Sequence, residues 1–271
     1  MSKISIIVVC LNPGNKLIET MESILRQTFK DYEVVVKDGF SKDGSIDVLE
    51  KWLEGAGNEI AHQVHIHQVQ DKSIYEAMNQ ATELTEGEFL YFLNCGDHFY
   101  NDQALEHMLS EMEKYPQGTL FYGNVYDAIR KSVVQSNPRI DAFACYRNVP
   151  CHQACIYHKS LFSERGYEPK YRVRADYEHF LWCFFKKKVT PIWLPVTLAL
   201  YEGGGFSETK ANRIRSKEEH SEIISMYMTK GQIFKYKVIM LLSLQPVRTA
   251  IAESKLFGSF YQTVKKILYR R

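Results

Sequence analysis

The chain has 271 residues, of which 45% are hydrophobic, and its formal net charge is +2. This length suits one large α/β domain or one domain with a helical appendage, and the apolar content excludes a largely disordered chain. Segment 230–271 carries nine Lys and Arg residues and one acid, so its balance of +8 leaves −6 for the remainder. Only this tail is expected to be drawn to an anionic surface, and no nucleic-acid partner is predicted.

The first ten residues, MSKISIIVVC, contain an apolar run that is too short for a signal peptide and is typical of a strand. No apolar stretch reaches the roughly 20 residues that a membrane-spanning helix needs. The six cysteines are scattered along the chain, and we expect them to be reduced. These features predict a cytoplasmic protein.

The first hundred residues alternate between strand and helix patterns. Apolar, β-branched runs predict four strands, at 4–9, 32–37, 64–69 and 88–93. Apolar residues at helical spacing lie between them, so we predict a parallel sheet with right-handed crossovers. Ligands of such sheets bind beyond the carboxyl ends of the strands. One polar rim is therefore expected to contain Asn12, Asp38, Asp71, Lys72 and residues 94–97.

The second half of the chain is less regular. We predict helices at 102–115 and 175–187, strands at 119–126 and 153–158, an extended segment at 189–202 and a glycine loop at 203–207. From Thr209 the pattern is helical and becomes basic. We therefore place a catalytic domain at 1–208, with halves of about 1–100 and 101–208, followed by a basic amphipathic helical extension at 209–271.

The fourth predicted strand ends abruptly in Asn94-Cys95-Gly96-Asp97, which delivers one carboxylate at a strand tip. A carboxylate in this place suits a divalent cation that neutralises a diphosphate leaving group. Gly96 leaves room for a ligand to approach the backbone. Asn, Gly and Asp are also ordinary turn residues, so a plain turn is the alternative for this stretch alone.

Six short motifs occur in a fixed order: DGFSKDGS at 38–45, DKSIYEAMN at 71–79, NCGD at 94–97, PCHQ at 150–153, ADYE at 175–178 and GGGFS at 203–207. Together they resemble the family 2 glycosyltransferases, and most closely the bacterial members that build capsule, O-antigen and exopolysaccharide. The resemblance covers about residues 1–210. It has departures, since Ser73 and Glu76 stand where that branch has Gly and Asp, and NCGD replaces the usual D-x-D.

The resemblance implies a GT-A fold, with a Rossmann-like, mostly parallel sheet flanked by helices, that binds a nucleotide-sugar donor. Asn12 and Asp38 are expected to hold the base and ribose. A carboxylate at position 38 that accepts from the N3–H of uracil favours UDP. The other residues expected on the donor side are Lys72, Asn79, Asn94 and Cys95.

The resemblance also implies a divalent metal, Mn²⁺ or Mg²⁺. Asp97 is expected to bind it, because phosphate oxygens and water can fill most of the coordination positions of magnesium. His152 is the second candidate ligand. A contact with the diphosphate, orientation of the acceptor and a purely structural role are the alternatives for this histidine.

Inversion at the anomeric carbon requires a carboxylate that takes the proton of the acceptor hydroxyl. Asp176 matches the acidic residue that opens a late helix in the family, although a carboxylate there also interacts favourably with the helix dipole. The predicted function is inverting transfer from a UDP-sugar to a glycan or polyprenyl-linked acceptor in cell-surface polysaccharide synthesis. A non-catalytic nucleotide-sugar or glycan-binding protein on the same fold is the alternative.

The basic tail contains interleaved aromatic residues, including Phe234, Tyr236 and Phe257. This pattern predicts contact with an anionic membrane surface, peripheral to the inner face of the plasma membrane. The alternatives are a helical pair packed on the catalytic domain and the contact of a homodimer.

Overall fold

The computed structural model describes residues 3–56, 62–201, 203 and 209–242. Its strands are β1 (Ile4–Cys10), β2 (Tyr32–Asp38), β3 (Val64–Gln68), β4 (Phe89–Phe92), β5 (His98–Phe99), β6 (Leu120–Asp127), β7 (Ser132–Val134), β8 (Cys155–His158) and β9 (Ile192–Tyr201). Its helices are α1 (Lys16–Leu25), α2 (Ser45–Ala56), α3 (Ile74–Glu83), α4 (Ala104–Met112), α5 (Ala142–Arg147), α6 (Lys159–Glu164), α7 (Ala175–Phe185), α8 (Lys210–Tyr227) and α9 (Lys230–Leu242).

One mixed sheet runs through the protein in the order β3-β2-β1-β4-β8-β6-β9-β5, with β7 paired to β6. The first four strands of this order are parallel, which confirms the sheet predicted from the first hundred residues. β8 is antiparallel to both of its neighbours, β4 and β6. The second half of the chain therefore extends the sheet through a reversed strand, and the reversal lies beside the end of β4.

The sheet is buried on both faces where the sequence is most apolar. Every residue of β2 is buried, as are the first six residues of β1. Helix α1 packs Leu17, Met21 and Ile24 into the same core, at the spacing of one helical face. Rigid strands of this kind fix the positions of the loops that follow them, and these loops carry the rim residues.

The two departures at positions 73 and 76 form one local structure. The Ser73 hydroxyl accepts a hydrogen bond from the Glu76 backbone N–H at 3.2 Å, and this contact caps α3. The Glu76 carboxylate accepts from the Lys72 backbone N–H at 2.8 Å. These two contacts resemble a capping box, so the pair starts the helix where other members use glycine and aspartate.

The chain divides into two compact units, 1–223 and 224–271. The first part of α8 belongs to the larger unit, and the boundary of the catalytic domain at 208 stays a prediction. In the smaller unit, α9 contains no buried residue, and Phe234, Leu241 and Leu242 are largely exposed. No helix among the described residues is long and apolar enough to cross a membrane. The tail beyond Leu242 and the glycines at 204 and 205 lie outside the described residues.

Candidate active site

Asp38, the last residue of β2, is fully buried and organises the loop that follows it. Its carboxylate accepts from the Ser41 N–H at 2.9 Å, the Ser41 hydroxyl and the Gln68 amide at 3.0 Å, and the Cys10 thiol lies 3.7 Å away. A carboxylate offers about four lone-pair sites, so these donors occupy its capacity. Asp38 therefore holds loop 38–45 together, and its contact with a uracil N–H, which would require displacement of a protein donor, stays a prediction.

Asn12 links the end of β1 to the same loop. Its backbone N–H donates to the Ser41 hydroxyl at 2.7 Å, and its side-chain oxygen accepts from the Lys42 N–H at 2.8 Å. Asp43 adds a third link by accepting from the Gly14 N–H at 2.8 Å. The hydrogen bond from the Ser45 hydroxyl lowers the pKa of Asp43. Asn12 thus lies at the predicted rim, held by loop 38–45.

A buried ion pair that sequence reasoning missed lies beneath this loop. The Lys37 side chain is fully buried and its ammonium pairs with Asp71. A Cβ atom on Gly39 would come within 2.8 Å of the Asp71 carboxylate, so a larger residue there would push Asp71 away. The sequence feature that indicates such a pair is a lysine within the apolar strand YEVVVK. Lys72, next to Asp71, is exposed.

The NCGD segment forms a tight turn after β4. The Asp97 N–H donates to the Asn94 carbonyl at 2.8 Å, and Gly96 has a φ of +94°, a conformation that favours glycine. The Gly96 N–H is held by the Thr20 hydroxyl of α1 at 2.9 Å. Cys95 is half-buried against the core, and burial raises the pKa of its thiol to about 12. This thiol is therefore neutral at physiological pH.

Gln153 orients the carboxylate of Asp97. Its side-chain nitrogen lies 3.1 Å from both carboxylate oxygens, and the residue itself is buried. Sequence reasoning treated Gln153 only as the companion of His152. The PCHQ motif and the NCGD turn thus meet in the structure, although about 55 residues separate them in the chain.

The turn offers oxygen ligands that suit a divalent cation. In the same turn as Asp97, the side-chain oxygen of Asn94 is buried without a hydrogen-bond partner in the described part of the chain. Oxygen donors are those that Mg²⁺ and Mn²⁺ prefer. No group of three His, Cys, Asp or Glu residues among those described could hold a metal. A cation held by Asp97 and Asn94 would take its remaining ligands from substrate and water.

His152 bridges the NCGD turn and Asp176. The Asn94 amide nitrogen lies 3.1 Å from His152 Nε2, and His152 Nδ1 lies 3.9 Å from Asp176 Oδ2. With the amide in this orientation, Nε2 accepts a hydrogen bond and its lone pair is occupied. Metal ligation by His152, as predicted, would break this contact. The geometry instead favours a positioning role between the two carboxylate-bearing segments.

Asp176 lies in the first turn of α7, and its side chain is 24% exposed. The Tyr75 hydroxyl lies 2.9 Å from Asp176 Oδ1 and also 2.9 Å from the Val173 carbonyl. Burial, followed by the charge of Asp176, raises the pKa of Tyr75 well above its usual value, so the phenol stays protonated. The Asp176 carboxylate therefore combines a fixed position with access to solvent.

Helix α8 holds the segment that carries Asp176. The buried Glu219 carboxylate accepts from the backbone N–H groups of Arg172, Val173 and Arg174 at 2.9, 3.0 and 2.9 Å. Arg215 pairs with the same carboxylate at 3.0 Å. Backbone donors before a helix form an anion-binding concavity, which Glu219 fills from within the chain. This contact lies beyond residue 210, where sequence reasoning found no motif.

Beside Asp176 lies a cavity of about 640 Å³. His152, Gln153 and Asp176 form one wall, and residues of α5, of segment 134–140 and of α8 form the others. The volume falls within the roughly 300–1,000 Å³ of ordinary ligand pockets. A substrate group in this cavity would lie next to the carboxylate of Asp176.

Asn79 does not join these residues. Its amide donates to the Tyr167 carbonyl at 2.8 Å and accepts from the Tyr167 N–H at 2.7 Å. Both polar atoms of the side chain are thus engaged by one backbone residue. Asn79 thus links α3 to the 165–168 segment, and its contact with the nucleotide stays a prediction.

Comparison of the whole fold with solved structures defines the class of protein. The mannosyltransferase PcManGT from Pyrobaculum calidifontis, solved with GDP-Man and Mn²⁺, matches 99% of this chain and 81% of its own at a TM-score of 0.67 and 15% identity. TarS from S. aureus, residues 1–349 with UDP, matches 94% of this chain and 76% of its own at a TM-score of 0.65 and 16% identity. The fold is that of GT-A glycosyltransferases.

The sequence comparisons identify the family. The model of glycosyl transferase family 2 matches residues 5–177. A PGL/p-HBAD biosynthesis glycosyltransferase from Mycobacterium tuberculosis is 32% identical over 207 residues, which is 76% of this chain and 79% of the relative. The Escherichia coli UDP-Glc:α-D-GlcNAc-diphosphoundecaprenol β-1,3-glucosyltransferase WfaP is 27% identical over 56% of this chain and 59% of its own. The chain belongs to glycosyltransferase family 2, and it is a glycosyltransferase.

Proposed function

We propose that this chain is an inverting, metal-dependent glycosyltransferase that moves a hexosyl or N-acetylhexosaminyl group from a UDP-sugar to a lipid-linked or glycan acceptor. One observation carries the proposal. Asn94, His152 and Asp176 form a continuous chain of contacts between the NCGD turn and a carboxylate that faces a cavity. A donor held at the turn would therefore have a base within reach of its anomeric carbon.

Asp176 is the proposed general base. The acceptor oxygen attacks the anomeric carbon, its proton passes to the Asp176 carboxylate, and the bond from the sugar to the nucleotide diphosphate breaks. A positioned base of this kind contributes about 10²–10⁴-fold to a rate. Because the only nucleophile in this scheme is the acceptor oxygen, attack occurs once and the configuration inverts.

Asp97, with the side-chain oxygen of Asn94, would hold the divalent cation. The cation supplies charge neutralisation for the departing diphosphate. Gln153 holds the Asp97 carboxylate in place by its two 3.1 Å contacts. Gln153 thus fixes the orientation of the Asp97 carboxylate. His152, which contacts both Asn94 and Asp176, links the turn to the proposed base.

The choice of UDP is supported by the names of relatives. WfaP is named for a UDP-Glc donor and a GlcNAc-diphosphoundecaprenol acceptor. TuaG from Bacillus subtilis, which is 25% identical over 112 residues, is named for teichuronic acid biosynthesis. These names support a UDP-sugar donor and a role in cell-surface glycan synthesis.

We also propose that the protein acts in the cytoplasm, peripheral to the inner face of the membrane. Helix α9 exposes Phe234, Leu241 and Leu242, and it carries Lys235 and Lys237. Exposed apolar and basic residues on one helix bind anionic lipid surfaces. Cosedimentation of the full chain with vesicles that contain phosphatidylglycerol tests this point, with neutral phosphatidylcholine vesicles as the comparison.

Nucleotide release by the purified protein tests the main proposal. UDP-, GDP- and dTDP-sugars are incubated with Mn²⁺, with Mg²⁺ or with EDTA. We expect slow, metal-dependent release of UDP from one donor and its loss in Asp97→Asn. Asp102→Asn is the matched control, because Asp102 is exposed and pairs with Arg26 on the surface. Release of GDP or dTDP alone, or release that persists in EDTA, would contradict the proposal.

A further inference from the structure

The cavity beside Asp176 is separate from the loops that are proposed to hold the donor. Its described lining includes His152 and Asp176 but not Asn12, Asp38 or Asp97. Gln153, which contacts Asp97, also lines the cavity, so the cavity adjoins the NCGD turn without including loop 38–45. If Asp176 takes a proton from the acceptor, as proposed above, the acceptor occupies this cavity.

Arg174 lines the cavity, and it is held there by neutral groups. Its Nε donates to the carbonyl and hydroxyl oxygens of Ser216 at 2.9 and 2.8 Å, and one terminal nitrogen donates to Asn148 Oδ1 at 3.1 Å. The guanidinium lies 5.3 Å from the ring of Tyr177. In the described part of the chain, no carboxylate lies within ion-pair distance of it.

A guanidinium stays charged at every physiological pH, and its planar fork matches phosphate oxygens. Arg147 lines the same cavity and brings a second guanidinium. Apolar side chains of Val134, Ile140 and Val149 complete the lining. The cavity thus pairs cationic groups with an apolar wall, immediately beside the proposed base.

We propose that this cavity binds the acceptor through a phosphate ester, and that Arg174 is the residue that recognises it. The proposal rests on the proposed function and adds a chemical class to the acceptor, namely a sugar bearing a phosphate or diphosphate. The ester could belong to a soluble sugar phosphate or to a lipid diphosphate, and both present the same oxygens to Arg174. Ser216 and Asn148 act by fixing the direction of the guanidinium.

Calorimetry on the full chain saturated with UDP and Mn²⁺ tests this recognition, because UDP blocks the diphosphate site of the donor. The probes are α-D-glucose 1-phosphate and methyl α-D-glucoside, which share a ring and differ in the anion. The proteins are wild type, Arg174→Gln, Arg174→Lys and Arg172→Gln. Arg172 is exposed, lies two residues away and does not line the cavity, so it provides the matched control.

We expect wild type and Arg172→Gln to bind the sugar phosphate at least tenfold more tightly than the glucoside, a difference typical of charge-assisted hydrogen bonds. Arg174→Gln should abolish the difference, and Arg174→Lys, which keeps the charge without the fork, should restore part of it. Thermal melting confirms that each variant is folded. Equal binding of both probes to wild type, or an undiminished preference in folded Arg174→Gln, would overturn the proposal.

A second arm identifies the source of the phosphate. Decyl-diphosphate-linked glucose is compared with α-D-glucose 1-phosphate on the same proteins. Tighter binding of the decyl compound, dependent on Arg174, assigns the cavity to a lipid-linked acceptor, and equal binding assigns it to a soluble one. If UDP does not bind at all, the proposed function fails, and the titration without UDP still shows whether Arg174 recognises a phosphate.

Discussion

Two carboxylates of this site, Asp38 and Asp176, differ in their surroundings. Asp38 is fully buried, and donors of the protein occupy its oxygens. Asp176 is 24% exposed, contacts one phenol and one histidine, and faces a cavity. A saturated carboxylate can shape a loop, whereas one with open positions can take a proton. The comparison shows that two acidic residues of one site can differ in how many of their oxygens the protein itself engages.

The two halves of the site also differ in how they are held. Loop 38–45 is fixed in part by residues close in sequence, such as the contact of Asp43 with Ser45, and in part by Asn12 and Gly14 after β1 and Gln68 of β3. The segment before Asp176 is fixed by Glu219, which lies more than 40 residues further along the chain. Short-range contacts leave local motifs in a sequence, and long-range contacts do not. Substitutions at Asp176, Glu219, His179 and Ser73 test the roles of these residues, and their expected effects decrease in that order.

The largest effect is expected for Asp176→Asn. Asparagine retains the size of the side chain but cannot take the proton of the acceptor, so turnover should fall by about 10²–10⁴-fold. A coupled assay of UDP formation with donor and acceptor measures this loss. A variant that retains more than a tenth of wild-type turnover would show that Asp176 is not the base.

Glu219→Gln should have the next largest effect. The amide is a weaker acceptor for the three backbone N–H groups before α7 and loses the ion pair with Arg215, interactions of about 1.5–3 kcal/mol for charged hydrogen bonds. We expect turnover to fall about tenfold while the affinity for UDP is unchanged. The neighbouring exposed Glu218→Gln is the control. Equal loss in both variants, or weaker UDP binding in Glu219→Gln alone, would argue against a positioning role.

Low pH should destabilise the second half of the chain through protonation of His179. Burial lowers the pKa of this histidine from 6.5 to about 3. As the pH falls, His179 is therefore protonated in the unfolded chain before it is protonated in the folded protein. Its contribution to the free energy of unfolding is complete above about pH 6.5 and is lost as the pH falls toward 3. The loss is about 1.4 kcal/mol per pH unit within that window.

Urea unfolding at pH 7, 5.5 and 4.5 measures the contribution of His179. In His179→Gln, the free energy of unfolding should change less between these values than in wild type. His107→Gln provides the control, because His107 is exposed on α4. A slope equal to that of wild type in His179→Gln would show that another group dominates the acid response.

The smallest effect is expected at the capping residue Ser73. Removal of the hydroxyl in Ser73→Ala should cost about 1 kcal/mol, whereas Ser73→Gly, which introduces the residue typical of the family branch, should cost only a few tenths. Chemical denaturation of the two variants gives the comparison. Equal losses in both would mean that the Ser73 hydroxyl does not stabilise α3.

The sequence predicted the parallel sheet, the rim and the NCGD turn because each depends on a local pattern: apolar runs, strand ends and a glycine before an aspartate. It did not predict the roles of Gln153 and Glu219, because their partners are distant in sequence and a glutamine or glutamate leaves no pattern of its own. The donors that hold Asp38 were not predicted for a related reason, because only the folded sheet brings Gln68 of β3 near it.

The separation of donor and acceptor roles between Asp97 and Asp176 is tested most directly by calorimetric titration of UDP, with and without Mn²⁺, into wild type, Asp97→Asn and Asp176→Asn. We predict that Mn²⁺ strengthens UDP binding in wild type and in Asp176→Asn, and that Asp97→Asn loses this effect. Metal-dependent binding of UDP by Asp97→Asn at wild-type strength, or equal weakening by both substitutions, would contradict the account.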